Sequence, residues 1–295
     1  MRQIAIITDD PGWHGRELTR AFAERGCQAA YLSLTECRFH LDGLSPPISL
    51  PGFETRPPDA VFVRGVPGGS LEEVVLYLDI LHGLQMLGIP VFNHGRAIEL
   101  SVDKAMTSFI LRRNGIPTPP TWALRDAGRA QAIAARELEA GHYIISKPLF
   151  GSQGEGIRRI EKSTDIMWLP HSNGVYYLQR FIECQGQGYS DIRVFIIGGR
   201  AVAAMRRRGL SWLNNVARGA SCESMVLDPE LAGLAAQAAA ALNMDYAGVD
   251  IILDAEGKPW VIEVNSVPAW KGLQSVCKTD VAGLLADALL QKMSA

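Results

Sequence analysis

The segment AGVDIILDAEGKPWVIEVN, residues 247–265, decides how this chain is read. Two β-rich, alternating runs flank Glu256-Gly257, a pair suited to a two-residue reversal, so the segment is predicted to be a hairpin. With the turn there, Asp250 faces Glu263 and Gly248 faces Asn265. One side of the hairpin then carries Asp250, Glu263 and Asn265. The other carries Val249, Ile251 and Leu253 against Trp260, Ile262 and Val264, an apolar set expected in the core. Two carboxylates placed opposite each other repel and weaken a bare hairpin. A divalent cation removes that objection, and an oxygen-only ligand set suits Mg²⁺ shared with a phosphate. A solvated polar face is the competing reading.

A second signal lies upstream. KPLFGSQGEG, Lys147 to Gly156, places a lysine at the end of the strand Tyr143–Pro148, directly before a glycine-rich loop. Gly151, Gly154 and Gly156 let successive backbone N–H groups turn toward an anion, with Ser152 and Gln153 as further donors. The loop matches neither a Walker sequence nor a dinucleotide fingerprint, and a strand is expected after it. A third segment, DIRVFIIGGRAVAAMRRR, turns at Gly198-Gly199, which sets Asp191 opposite Arg206 with Arg193 on the same face. The run Arg206, Arg207, Arg208 is a local anion attractor in an otherwise neutral chain. No histidine shows ligand spacing, and no Gly-x-Ser-x-Gly or Cys–His pattern points to a covalent nucleophile.

The first third differs in kind. IAIIT (Ile4–Thr8), DAVFVRG (Asp59–Gly65) and PVFN (Pro90–Asn93) read as strands alternating with helices. One helix is expected at Arg16–Arg25, and another opens on a Ser70/Glu73 capping box. Alternation of this kind implies parallel crossovers, whereas the hairpins beyond residue 180 imply antiparallel α+β. The predicted units are 1–93, a small N-terminal parallel α/β domain, 94–180, a central α+β lid domain, and 181–295, a C-terminal antiparallel-sheet α+β domain.

The 295 residues balance 29 Lys and Arg against 31 Asp and Glu, a net charge of −2 that argues against a nucleic-acid binder. With 47% hydrophobic and 20% charged residues, wholesale disorder is excluded. The richest apolar run, Leu231–Leu242, is short, mostly Ala and interrupted by Gln237, and the N-terminus meets two acids soon after its first apolar run. Neither a membrane span nor a signal peptide is expected. Five scattered cysteines without a C-x-x-C pair fit reduced thiols in a cytoplasm.

The order of these features is more specific than any one of them. A helical lysine, a strand-borne lysine before a glycine loop, an apolar strand, then Asp, Glu and Asn on a late hairpin resemble the ATP-grasp superfamily. Within it the segments AIELSVDKAMTSFILRRNGIPTPPT, GSQGEGI, DIRVFIIGGRAVAAMRR, NVARGA and AGVDII…VIEVNSVP resemble the RimK-type amino-acid ligases. The stretches NSVPAWKGLQ and SWLNNVARGA are similar to the branch that adds glutamate to tetrahydromethanopterin or a deazaflavin coenzyme. The resemblance implies an α/β (α+β) ATP-grasp fold. It implies that Lys104, Lys147, Ser152, Gln153 and Gly154 serve the ATP phosphates under a closing lid. Gln179, Arg180, Phe181 and Ile182 would lie along the adenine, with backbone groups of residues 180–182 reading its edge, and Asp191 would approach the ribose. Many relatives carry Glu where this chain has Arg180. Asp250, Glu263 and Asn265 would hold two Mg²⁺ ions, with Mn²⁺ as a substitute and Glu263 bridging. Arg193, Arg206, Arg207 and Asn215 would hold an acyl phosphate or an amino-acid carboxylate, and Arg218 is a weaker candidate.

The implied reaction is amide formation through an acyl phosphate, joining an amino acid, best glutamate, to a small-molecule carboxylate. Glutamylation of a protein tail, a phosphotransferase, and a non-catalytic ATP-binding regulator are the alternatives. The loop Asp9–Gly15 and Arg64, at carboxyl ends of parallel strands, are expected walls for the larger substrate. Relatives of this type suggest a homodimer or homotetramer.

Overall fold

The computed structural model describes residues 1–43, 46–151, 154–169, 174–184, 188–209, 211–212 and 219–294. The N-terminal unit is a parallel sheet. β1 (Arg2–Ile7) leads through α1 (Gly12–Ala23) to β2 (Cys27–Leu32), and β3 (Arg38–Phe39) and β4 (Ile48–Ser49) form a small antiparallel ribbon. β5 (Ala60–Val63), α2 (Leu71–Met86) and β6 (Val91–Phe92) complete a four-stranded sheet in the order β2-β1-β5-β6, all parallel. Helix α1 starts four residues before the expected Arg16, with Pro11 as its N-cap residue. The Ser70 capping box forms as expected: Ser70 Oγ accepts from Glu73 N at 3.3 Å, and Glu73 Oε2 from Ser70 N at 2.7 Å.

Helices α3 (Gly95–Val102) and α4 (Lys104–Arg113) follow. A second, antiparallel sheet comprises β7 (Thr121–Leu124), β8 (Ile144–Lys147), β9 (Arg158–Ile160) and β10 (Tyr176–Arg180), ordered β7-β10-β8-β9. Helix α5 (Ala127–Glu139) covers it, burying Ala130 and Ala134 against Ile144 and Leu178. The glycine loop therefore joins two antiparallel strands, and the strand expected after it is β9.

The third sheet is built from β11 (Tyr189–Ile197), β12 (Arg200–Gly209), β13 (Ser221–Ser224), β14 (Tyr246–Leu253) and β15 (Pro259–Asn265), ordered β13-β12-β11-β14-β15. Helix α6 (Pro229–Ala241) packs on one face, with Asp228 as its N-cap and proline in its first turn. The short α7 (Lys271–Gln274) and α8 (Val281–Lys292) close the chain on the other side. Ala97, Leu100, Leu111 and Ile116, which the sequence groups with the central unit, pack into the core between this sheet and α6.

The N-terminal sheet and the third sheet share a core. Phe62, Phe92, Phe195, Tyr246 and Trp270 are buried in one cluster, with Tyr246 stacked 5.2 Å from Phe62 and 5.4 Å from Phe92. Tyr246 Oη donates to Val63 O, and fully buried Asn93 donates to Tyr246 O and Ser266 O while accepting from Asp245 N and Tyr246 N. Buried polar groups satisfied this completely fix a register, since leaving any of them unpaired costs about 1–3 kcal/mol. The strand ends of the N-terminal unit are thereby held against the face that carries the acidic hairpin.

Both hairpins contain a β-bulge absent from the sequence reading. In β14–β15 the reversal runs from Asp254 to Lys258, and Leu253 faces Pro259. An inserted Ile262 then restores the expected pairing, so Asp250 faces Glu263 and Gly248 faces Asn265. The insertion sends Val261, not Ile262, into the core. In β11–β12 the Gly198-Gly199 turn is correct, but Val202 is inserted beyond it, so Asp191 faces Arg207 and Arg206 faces Ile192. Bulges cluster beside active sites because they re-aim side chains.

Candidate active site

The second and third sheets face each other across a cavity of about 680 Å³, within the size range of small-molecule sites. β8 ends there in Lys147, β10 contributes Gln179, β11 Asp191 and Arg193, and β12 Arg207. β14 and β15 add Asp250, Glu263 and Asn265. Ile145, Ile182, Met205, Ile252 and Ile262 form an apolar wall opposite this charge. A smaller adjoining cavity holds Lys104 beside Lys147, Gly151, Gly154 and Glu263.

The lysines are placed by packing and backbone. Lys147 is 8% exposed and donates to Gln179 Oε1 at 2.7 Å. Gln179 in turn donates to Thr121 Oγ1 and Tyr177 Oη, which locks its amide. Burial pushes the Lys147 ammonium down to about 8, with Glu263 acting against the shift. Lys104, at the first position of α4, donates to Gly151 O at 2.8 Å, tying the helix to the lid. Burial lowers its pKa as well. Gly156 has φ +69°, and a Cβ there would lie 2.6 Å from Pro148 Cγ, so the loop folds against the lysine strand only with glycine at this position.

The acidic side is a four-member charge network. Asp250 accepts from Arg193 Nε and Nη2, both at 2.7 Å, and lies 2.9 Å from Arg207 Nη2. Arg207 also holds Asp191, at 2.6 and 2.8 Å. Burial alone would raise the Asp250 carboxyl, but Arg193 and Arg207 outweigh it and hold it at about 2. For Asp191 burial wins over Arg207, and its carboxyl stands near 6. Gly248 lets Pro268 pack against β14, since a Cβ there would lie 2.8 Å from Pro268 Cβ, while 3.5 Å to Arg193 is ordinary contact. The Asn265 amide is best oriented donating to Glu263 Oε1 and accepting from Arg193 Nη2, each at 3.2 Å.

The structure therefore brings together Lys104, Lys147, Gly154, Gln179, Asp191, Arg193, Arg207, Asp250, Glu263 and Asn265. It removes Arg206: the Val202 bulge puts that residue on the face of the sheet that packs on α6, and Arg207 takes its place. Arg180, Phe181 and Ile182 line the cavity, but the amides of Arg180 and Phe181 are committed to Pro120 O and Tyr143 O. The Arg180 guanidinium is committed to Glu137 on α5. Ser152, Gln153, Asn215 and Arg218 lie outside the described residues. The sequence reading missed Ile252, Ile262 and Trp212 as lining residues. Strict strand alternation would have found Ile252, on the site side of β14, but only the bulge exposes Ile262.

A lysine pair, an apolar wall, a glycine lid and an acidic hairpin across one cleft between two α+β units define the ATP-grasp class of fold. Its solved neighbours agree. The ligase PsnB with a minimal precursor superposes with a TM-score of 0.76 over 99% of each chain at 22% identity, and D-cycloserine synthetase DcsG with 0.70 over 99% of each chain at 18%. Residues 101–289 match the RimK-like ATP-grasp domain, and the chain belongs to that family of ATP-dependent carboxylate–amine ligases. It is 34% identical, over 78% of each chain, to a tetrahydromethanopterin:alpha-L-glutamate ligase of Methanococcus maripaludis. It is 30% identical to a probable alpha-L-glutamate ligase of Aeromonas salmonicida, over 99% of this chain and 97% of that one.

The family uses ATP and Mg²⁺, and PsnB has been solved with Mg and ADP. The residues here fit both groups. The cavity offers cations and an apolar wall for a nucleotide. Glu263, Asn265 and Asp250 are oxygen donors without His or Cys, as a hard cation prefers. Among the described residues no three His, Cys, Asp or Glu side chains cluster for a metal, so the Asn265 amide is needed to complete the set. No helix among the described residues is long and apolar enough to cross a membrane.

Proposed function

We propose that this enzyme joins glutamate to the carboxylate of a small-molecule coenzyme of the tetrahydromethanopterin type, through an acyl phosphate. The observation that carries the reading is the single cavity in which Lys147, Glu263 and Asn265 stand against the Arg193–Asp250–Arg207 network. The relatives named tetrahydromethanopterin:alpha-L-glutamate ligase support the choice of substrates.

In this reading Lys104 and Lys147 bind the phosphates, and the 151–156 loop covers them to exclude water. Asp250, Glu263 and Asn265 would hold two Mg²⁺ ions, which would supply charge neutralisation for in-line transfer. An acceptor carboxylate oxygen attacks the γ-phosphorus, the bond to the β-γ bridging oxygen breaks, and ADP leaves. The glutamate amine nitrogen then attacks the acyl carbon, loses a proton, and inorganic phosphate departs as the amide forms. Arg193 and Arg207, oriented by Asp250 and Asp191, lend positive charge to the acyl phosphate. Asp191 orients Arg207 instead of touching the ribose. Ile182 and the apolar wall take the adenine. Asn215, Ser152 and Gln153 keep their roles as anion donors in this proposal. The setting is cytoplasmic, the units are 1–93, 94–180 and 181–295, and the assembly is a homodimer or homotetramer.

The test incubates the protein with ATP, Mg²⁺, L-glutamate and tetrahydromethanopterin or a deazaflavin coenzyme. The expected result is ADP release together with a mass gain of one glutamyl unit on the coenzyme. ADP release without that gain, but with glutamate on a protein tail, overturns the small-molecule reading.

A further inference from the structure

Arg64, just beyond β5, reaches the same cavity from the N-terminal sheet and is poorly satisfied where it lies. Among the described residues its guanidinium makes one hydrogen bond, from Nη1 to Val267 O at 3.4 Å, and its buried Nε has no partner. The ring of Trp270 lies 5.3 Å from the guanidinium carbon, and the buried Trp270 indole N–H is also without a partner. Lys271, exposed, lines the cavity next to it. Arg180, Arg193 and Arg207 in the same cavity are each paired with a carboxylate. Among the described residues Arg64 and Lys271 have no such pair. Tyr246 and then Asp10 act on Arg64 through their charge, and Asp10 is exposed and makes no ion pair with it.

The corner is also held rigidly. His14 Nε2 accepts from Trp270 N at 3.1 Å and from Lys271 N at 3.2 Å, and its ring sits 4.5 Å from Trp270. Burial, then Arg64 and Lys271, push the His14 pKa to about 4, so it adds no charge and supplies no counterion. A largely buried guanidinium with one long hydrogen bond, a ring contact and no carboxylate partner among the described residues is only partly compensated. An anionic ligand group completes the compensation.

We propose that the Arg64–Lys271 corner seats an unreacted carboxylate of the amino-acid substrate, so that the amine is held while the acceptor is activated at the Lys147–Glu263 end. This rests on the ligase reading above. The acceptor's reacting carboxylate must meet the γ-phosphate beside Lys104 and Lys147. A carboxylate that survives the reaction needs a further fixed cation, and Arg64 and Lys271, unlike Arg180, Arg193 and Arg207, have no carboxylate partner among the described residues.

The test is calorimetric titration of L-glutamate into the full-length protein saturated with Mg²⁺ and the non-hydrolysable analogue AMPPNP. Arg64→Ala should weaken L-glutamate binding about 100-fold, the scale of losing one partner of a desolvated charge pair, with AMPPNP affinity unchanged within about twofold. Lys271→Ala should show a smaller loss in the same direction; Lys271 is exposed, so this variant carries the test if Arg64→Ala does not fold. Glutamine and isoglutamine, which lack the γ- and α-carboxylate respectively, identify the seated group: the analogue missing it should be insensitive to Arg64→Ala. Unchanged L-glutamate binding in both variants, or two analogues that both remain sensitive, overturns the proposal alone. Should L-glutamate not bind wild-type protein, the other proteinogenic amino acids are titrated in the same way. Binding of none of them overturns both this proposal and the ligase reading.

Discussion

Arg193 and Asp250 meet in a two-pronged ion pair, Nε to Oδ1 and Nη2 to Oδ2 at 2.7 Å, across adjacent strands β11 and β14. Both side chains are shielded, at 14% and 7% exposed, so the pair is not a surface contact of negligible worth. The same carboxylate is shared with Arg207. Asp250 and Asp191 together balance the Arg193 and Arg207 guanidinium groups, and Asp250 is also one of the residues proposed above as a metal ligand.

Asp250→Asn should be costly in two separable ways. Removing a buried charge that two arginines share leaves them under-compensated, and breaking such a pair destabilises by roughly 3–5 kcal/mol. The urea midpoint should fall accordingly. ADP formation should fall further than the folded fraction does, because a ligand for the cation is lost at the same time. Activity that tracks the folded fraction alone would falsify the catalytic role of Asp250.

Glu263→Gln separates chemistry from stability more cleanly. Among the described residues Glu263 takes part in no ion pair, and its carboxylate accepts from the Asn265 amide at 3.2 Å. The substitution keeps volume and a hydrogen-bonding end, so the melting temperature should shift by no more than a few degrees. ADP formation should disappear, since a carboxylate proposed to hold the metal is gone. Measurable turnover in this variant would sink the two-ion assignment.

The acidic trio was legible in the sequence because two errors cancelled. The reversal is longer than a two-residue turn at Glu256-Gly257, and the Ile262 bulge restores the offset before Asp250 and Glu263 are reached. Nothing compensates at Val202, so Arg206 was placed on the site face that belongs to Arg207. A bulge adds one residue without a composition signal strong enough to read from one sequence, and a shift of one reverses every side chain beyond it. The capping box of α2, the proline-led α6 and the strand after the glycine loop were legible because each rests on local chemistry. The burial of Arg64 beside Trp270 was not, since it depends on residues some two hundred positions apart being packed together.

Lys147 predicts the pH dependence of nucleotide binding. Its ammonium is pushed down to about 8 by burial, so it is charged below that pH and neutral above it. A bound phosphate raises the pKa again, because an opposite charge favours the ammonium. Affinity for Mg-ADP should therefore be level below about pH 7 and fall as pH rises through 8, by up to about tenfold per pH unit. Lys147→Arg should remove this fall, as guanidinium stays protonated throughout. Calorimetric titrations between pH 6.5 and 9 decide the matter, and a wild-type affinity that stays flat across pH 8 excludes the shifted lysine as the phosphate ligand.

Arg180 is expected to matter for the fold more than for the nucleotide. Its Nε and Nη2 both donate to Glu137 Oε2, at 3.0 and 2.6 Å, and tie the end of β10 to α5. The Glu137 side chain is 6% exposed, and its other partner Arg136 is 63% exposed and solvent-screened. Burial alone would raise the Glu137 carboxyl, but Arg180 and then Arg136 hold it below the ordinary glutamate value. A carboxyl depressed in the folded state stabilises above its unfolded pKa, and that contribution is lost as pH falls through the folded one. Arg180→Ala should therefore cost about 3 kcal/mol at pH 7, and less once pH has fallen through the depressed folded-state pKa of Glu137. The ADP affinity of the refolded variant should change by less than tenfold. Urea denaturation at pH 7 and at successively lower pH, set beside an ADP titration, checks all three statements. A large loss of ADP affinity with unchanged stability would move Arg180 from the scaffold of the adenine end into its contact surface.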